Sequence, residues 1–205
     1  MTDATKPYRL AFRTRRRDPL LKKDAVIRTS VELFLEVGYN RATLEEIAKR
    51  LNITKPAIYT YFESKDAILS DCYRRALQAA ESEIEQVEGT ANTGLQQLRL
   101  NIHAYMMAML TDFGRILLLV DDRELSSEAR EKALESKRNI DRRFRACIER
   151  GIADGSIRRC NAELTSYAVA GAVNACGRWY DPARKWTAEY ITNELIDTLV
   201  IGLKS

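Results

Sequence analysis

The stretch that decides the fold is Thr43-Leu44-Glu45-Glu46-Ile47-Ala48-Lys49-Arg50-Leu51-Asn52-Ile53-Thr54-Lys55-Pro56-Ala57-Ile58-Tyr59-Thr60-Tyr61-Phe62-Glu63-Ser64-Lys65-Asp66. Thr43 followed by Glu46 is a capping box: the Thr43 hydroxyl takes the Glu46 amide, and Glu46 reaches back to the Thr43 amide. A short helix from Leu44 to about Leu51 follows, with Leu44, Ile47, Ala48 and Leu51 inward. Asn52-Ile53 make the turn, and Asn tolerates the positive φ that such a turn needs. Thr54 then reads as an N-cap, with Pro56 in the first turn, where a missing N–H does no harm. That third helix is expected to run to Phe62. Ser64 caps a fourth, longer helix reaching about Glu88.

Working outward, the segment before it is also helical. Val26, Ser30, Leu33 and Val37, flanked by Ile27, Val31 and Phe34, make one amphipathic face from Lys22 to Gly38. A helix followed by two short helices about a tight turn is a helix-turn-helix. The second half repeats apolar residues at helical spacing throughout. One helix carries Leu98, Ile102, Tyr105, Met106 and Met109, and a short one carries Ile116 and Leu117. A long one carries Ile140, Phe144, Cys147 and Ile148, and two more lie at about 161–179 and 187–203. With nine glycines and four prolines among 205 residues there are few turns. The expectation is an all-α chain of about nine helices: an arm over 1–21, a helix-turn-helix domain over 22–70 and a helical domain over 71–205.

Charge is unevenly placed. The chain carries 33 Lys and Arg against 29 Asp and Glu, a net +4. Residues 1–23 hold eight cations and two carboxylates, a net +6, so the rest carries −2. The run Arg13-Thr14-Arg15-Arg16-Arg17 has no helical apolar period and ends at Pro19, so the arm reads as disordered. It is either a solvated tail or an arm lying along a polyanion such as a DNA minor groove. Residues 24–70 carry −1, so the domain's cations are expected to face such a partner locally and the arm to supply much of the long-range attraction.

Other classes have little support. No stretch approaches ~18 uninterrupted apolar residues, so no spanning helix is expected. No apolar signal region opens the chain, so a cytoplasmic location is expected. Cys72, Cys147, Cys160 and Cys176 show no C-x-x-C spacing and read as buried or partly buried free thiols. The single histidine, His103, reads as a core or pocket-lining residue. No metal set, G-x-G-x-x-G or P-loop is present, so neither an enzyme nor a cofactor is expected. The alternative is a small-molecule-binding protein or enzyme with an incidental helix-turn-helix.

The outer side of the third helix offers Thr54, Lys55, Ala57, Tyr59, Thr60 and Tyr61. Their hydroxyls, the ammonium and the Ala57 methyl suit phosphates, base edges and a thymine methyl. The amides at Thr43, Lys55 and Lys65 open helices and can face phosphates. Thr43–Ala48, Leu51–Phe62 and Ser64–Leu69 closely resemble the DNA-binding region of the tetracycline-repressor (TetR) family. That resemblance implies that Thr43, Thr54, Lys55, Tyr59, Thr60, Tyr61 and Lys65 sit at double-stranded DNA, with Pro56 and Ala57 among them. Asn52 stands where Gly is frequent. Pro56 replaces a frequent small residue and leaves one amide fewer for phosphate.

The resemblance extends over nearly the whole chain and implies a homodimeric, ligand-responsive repressor on a palindromic operator. Ala168, Ala170, Gly171, Ala172, Ala175 and Gly177 permit close helix approach. With the stripe Ile191, Leu195, Leu199 and Leu203 they either form a four-helix dimer interface or pack within one subunit. Tyr105, Met106, Met109, Phe113, Leu117 and Phe144 either line an effector cavity or fill a core. Glu149–Gly155 and Arg178-Trp179-Tyr180-Asp181-Pro182 look like a TetR subgroup that senses acyl-CoA or fatty-acid-like molecules. Asp181 stands where that subgroup has Arg, and Ala183-Arg184 where it has a Gly pair, which weakens a CoA-phosphate role. Arg178 matches a cationic position and is the candidate ligand cation.

Overall fold

A computed structural model describes residues 6–12 and 18–203. It contains nine α-helices: α1 (Pro19–Val37), α2 (Leu44–Leu51), α3 (Lys55–Tyr59), α4 (Lys65–Val87), α5 (Gly94–Met109), α6 (Asp112–Leu119), α7 (Ser127–Ala153), α8 (Ala162–Trp179) and α9 (Ala188–Ile201). Two 3-10 turns accompany them, Pro7–Phe12 before α1 and Asp122–Glu124 between α6 and α7, and there is no strand among the described residues.

Local chemistry sets most boundaries. Thr43 accepts the Glu46 amide at 3.2 Å, Ser64 the Ala67 amide at 3.0 Å, and Ser126, Asn161 and Thr187 cap α7, α8 and α9 in the same way. Asn52 sits at φ 54°, ψ 46°, the left-handed turn expected of it. Gly38, at φ 85°, ends α1 and returns its amide to Phe34.

Three expectations need correction. α1 begins at Pro19, not Lys22. Asp18 caps it through the Leu20 and Leu21 amides, and Pro19 takes the first helical position, where its ring favours a start. α3 ends at Tyr59, not Phe62: the Tyr61 amide closes a tight bond to the Ile58 carbonyl at 2.8 Å, leaving Thr60 and Tyr61 in the turn. The arm is not disordered over Pro7–Phe12, which forms a 3-10 turn against α1. Glu32, half-buried on α1, is the reason. It draws Tyr8 and Arg9 of that turn, and Lys6 just before it, onto one carboxylate. The arginine run 13–17 lies outside the described residues.

The core is continuous between the two halves. Ile27, Leu33, Ile47, Ile58, Ile68 and Leu69 are fully buried in the helix-turn-helix half. From there α4 runs on through Cys72, Tyr73, Ala76, Leu77, Ala80 and Ile84, packing on α1, α5, α6 and α7. In the second half, α5 starts in backbone contact with α7: a Cβ on Gly94 would collide with the Gly151 nitrogen. Three cysteines are buried and Cys160 is half-buried; all four are free thiols.

Candidate functional site

The α2–turn–α3 unit carries the first candidate surface. Ile58 and Phe62 are buried and pin α3 to the domain, while Thr43, Thr54, Pro56, Tyr59 and Thr60 are exposed. Lys55, Ala57, Tyr61 and Lys65 are half-buried. Thr54 makes no side-chain cap bond, against expectation. The reason is local. Pro56 at the second helical position has no N–H, and the Ala57 amide goes to the Thr54 carbonyl at 3.0 Å. The Thr54 hydroxyl is thereby left outward.

The two lysines differ. The Lys55 ammonium bonds the Glu45 carboxylate of α2, which holds the lysine pKa up and the glutamate pKa down. The charged ends of both side chains reach solvent, so an incoming phosphate competes with that pair directly. Lys65 turns inward. Its Nζ donates to the Tyr39 and Ala42 carbonyls at 2.9 and 3.2 Å and sits 4.2 Å from the centre of the Tyr39 ring. It therefore fastens the α1–α2 loop to α4, a task its position at a helix start did not suggest.

The second candidate is a cavity of about 540 Å³ between α5, α6, α7 and α8. Tyr105, Leu117, Phe144 and Arg178 line it, as the sequence pattern allowed. Tyr105 and Phe144 meet edge to face at 5.8 Å. Burial pushes the Tyr105 hydroxyl well above its ordinary pKa, and it donates to Asn174 Oδ1 at 2.8 Å. Arg178 lies at the exposed rim one turn from Asn174, with no ion-pair partner among the described residues. Lys137 pairs with Asp122 at 2.9 Å, and Asp141 accepts Ser166 Oγ at 2.9 Å.

Met106, Met109 and Phe113 do not line the cavity. α5 is buried almost all round, so helical spacing alone does not separate its cavity side from its core side. Met106 and Met109 are core, and Phe113 lies at the junction with α1 and α4. His103 is neither core nor cavity; it is half-buried with Nε2 3.1 Å from Glu189 of α9. Sequence reasoning missed Leu118, Tyr167, Gly171 and Asn174. Tyr167, Gly171, Asn174 and Arg178 recur at helical spacing on α8, and that was the available signal. A larger open cleft, about 930 Å³, separates the helix-turn-helix from the start of α7. Charged residues such as Asp66, Asp71, Arg74 and Lys132 line it together with Tyr59, Tyr61, Phe62, Tyr73 and Leu77, so it is a mixed, open groove that borders the end of α3.

The α9 stripe Ile191, Leu195, Leu199 and Leu203 faces inward. Ile191 and Leu203 are buried, Leu195 and Leu199 half-buried, and α9 packs on α5. The exposed apolar face is a different one: Leu164, Ala168, Gly171, Ala175 and Trp179 on α8, with Tyr190 and Ile201 on α9. No single helix among the described residues is long and apolar enough to cross a membrane.

Known proteins share these features. Residues 26–72 match the family model for bacterial regulatory proteins of the tetR family, and residues 91–203 match a tetracyclin repressor-like C-terminal domain. The HTH-type transcriptional regulator HbdR of Aromatoleum sp. (strain CIB) is 28% identical over 192 residues, covering 87% of this chain and 81% of that one. Among solved structures, the TetR family regulator PfmR of Thermus thermophilus superposes with a TM-score of 0.80 at 25% identity, covering 88% of this chain and 99% of PfmR. AibR, solved with isovaleryl coenzyme A and operator DNA, superposes with a TM-score of 0.77 at 20% identity, covering 87% of this chain and 98% of AibR. With both its helix-turn-helix and its C-terminal half matched, the chain belongs to the tetR family of helix-turn-helix transcriptional regulators and is not an enzyme.

Proposed function

We propose that the protein is a homodimeric repressor that works in the cytoplasm, holds a palindromic operator, and leaves it when a small apolar or acyl-CoA-like molecule enters the cavity. Thr43, Thr54, Lys55, Pro56, Ala57, Tyr59, Thr60 and Tyr61 form the DNA-facing set. Lys65 supports it by fixing the loop before α2 and has one donor left for a phosphate. An α3 of five residues reads too few bases alone. A second copy supplies the second half-site. The exposed stripe from Leu164 to Trp179, rich in small residues, suits self-association about a two-fold axis.

The observation that carries the ligand response is the position of α6. Its Leu117 and Leu118 form cavity wall, and Phe113, one turn earlier, touches cations of α1 and α4. A molecule between α6 and α8 thus bears on the helix that meets the DNA-binding half. It releases DNA only if it binds the non-reading arrangement more tightly, with coupling of ~1–3 kcal/mol. The cavity size falls within the ~300–1,000 Å³ typical of small-molecule sites. Apolar walls with Arg178 at the rim favour an apolar body ending in an acceptor or anion. AibR provides an acyl-CoA precedent within the same fold.

The test pairs two measurements on the full chain. A thermal-shift screen with fatty acids and short- and long-chain acyl-CoAs is expected to find compounds that raise Tm. The same compounds are expected to release a labelled duplex of the gene's own upstream region in a gel shift. Stabilising compounds that leave the complex intact contradict the ligand-release reading.

A further inference from the structure

We propose that the N-terminal 3-10 turn is a brace for DNA reading, with Phe12 a positioning residue that sets the Tyr61 ring. This rests on the reading that Tyr61 faces DNA.

Tyr61 lies beyond the last residue of α3, in the turn before Phe62. Its backbone is held by the bond to Ile58, and its half-buried ring packs only in part against the core. A further contact comes from outside the helix-turn-helix. The Phe12 ring meets Tyr61 edge to face at 6.0 Å and 82°. Lys22 of α1 lies 5.7 Å from the centre of the same Phe12 ring.

Phe12 can act this way only if its own turn is fixed, and Glu32 fixes it. The carboxylate is half-buried on α1, and burial alone raises its pKa. Hydrogen bonds from Lys6, Tyr8 and Arg9 outweigh burial and hold the group ionised. Two donors from this short turn and one from the residue before it converge on one acceptor, so Pro7–Phe12 is keyed to the helix that also contacts α2 and α4. Lys6 and Arg9 are therefore paired inside the protein. The turn contributes to binding through geometry, whereas a polycationic tail contributes through counterion release.

The experiment is fluorescence anisotropy with the full chain and two labelled duplexes, the gene's own upstream region and a scrambled sequence, across a salt series. The variants are F12A, F12Y, Y61A and F12A/Y61A. F12A is expected to weaken the upstream duplex about three- to tenfold, the range of an aromatic pair. The salt slope and the scrambled-duplex affinity stay unchanged, which also shows that the variant is folded. F12Y, which keeps the ring, restores binding to within about twofold of the parent chain. In the Y61A background, F12A adds no further loss.

If Y61A weakens binding but F12A does not, the brace is wrong while Tyr61 remains at the DNA. Equal F12A losses with and without Tyr61 also overturn the brace, as does a flattened salt slope. If Y61A has no effect, the reading of Tyr61 at the DNA fails, and the brace with it.

Discussion

The Phe113 ring of α6 lies 5.9 Å from the guanidinium carbon of Arg28 on α1. Arg75 of α4 approaches the same ring at the same distance and pairs with Asp24 of α1 at 2.6 Å. One turn beyond Phe113, Leu117 forms cavity wall. One aromatic side chain thus joins three helices, and the proposed ligand response would run through it. Phe113→Ala is expected to leave effector affinity within about twofold, because the ring is not in the cavity. The ratio of operator Kd with and without effector is expected to fall about fivefold, a loss of roughly 1 kcal/mol of coupling. Calorimetry for effector and anisotropy for DNA separate the two quantities. An unchanged ratio contradicts this route.

The helix-turn-helix was legible because its signals are local. Thr43 accepting the Glu46 amide, Asn52 in its left-handed turn and Ser64 as a cap each act within four residues; the expected return bond from Glu46 to the Thr43 amide is not made, because the Glu46 carboxylate faces Lys49 and Arg50. Readings that failed depended on distant or unweighed partners. Pro19 reads as the end of the arm until Asp18 caps α1 around it, and the arm reads as disordered because Glu32, its acceptor, lies over twenty residues away. Helical spacing put Tyr105 and Met106 in one group, although only Tyr105 borders the cavity. A period of 3.6 says which side of a helix is apolar, but α5 is apolar nearly all round. For the α9 stripe, helical spacing left packing within the subunit and a dimer interface equally open; Ile191 and Leu203 are buried within this chain, whereas Leu195 and Leu199 stay half-buried.

Gly94→Ala tests the contact between α5 and α7. A methyl group there meets the Gly151 backbone, so a helix must shift and not merely a side chain. The expected loss is about 3 kcal/mol, the upper end of overpacking effects, read from urea unfolding. A loss below about 0.5 kcal/mol contradicts the close approach.

The thiols rank by burial. Burial pushes the Cys147 and Cys176 thiols up to about 11 and Cys72 higher still, whereas Cys160 is half-buried. Since the thiolate is the nucleophile, iodoacetamide near neutral pH is expected to label Cys160 first, as seen by peptide mass spectrometry. Cys147 or Cys176 reacting as fast contradicts the packing of α7 and α8.

Four tyrosines tie stability to alkaline pH. Burial raises the hydroxyl pKa of Tyr8, Tyr39, Tyr73 and Tyr105, with Glu32 and Asp66 adding to it at the first two. The folded state thus keeps protons that the unfolded chain releases near pH 10. Their contribution is full below that value and is lost as pH rises from it toward the folded pKa. The urea midpoint is expected to show no tyrosine-linked change between pH 7 and 9 and to drop between pH 10 and 11. Tyr105→Phe is expected to reduce that drop; an equal drop in the variant contradicts the assignment.

The most direct test of the central claim is titration of the labelled upstream duplex with the full chain, read for stoichiometry and affinity, beside Tyr59→Ala/Thr60→Ala. The expected result is two chains per palindromic duplex and at least about tenfold weaker binding by the variant, the cost of losing base-edge or phosphate contacts. One chain per duplex, or unchanged affinity in the variant, contradicts the account of a paired reader.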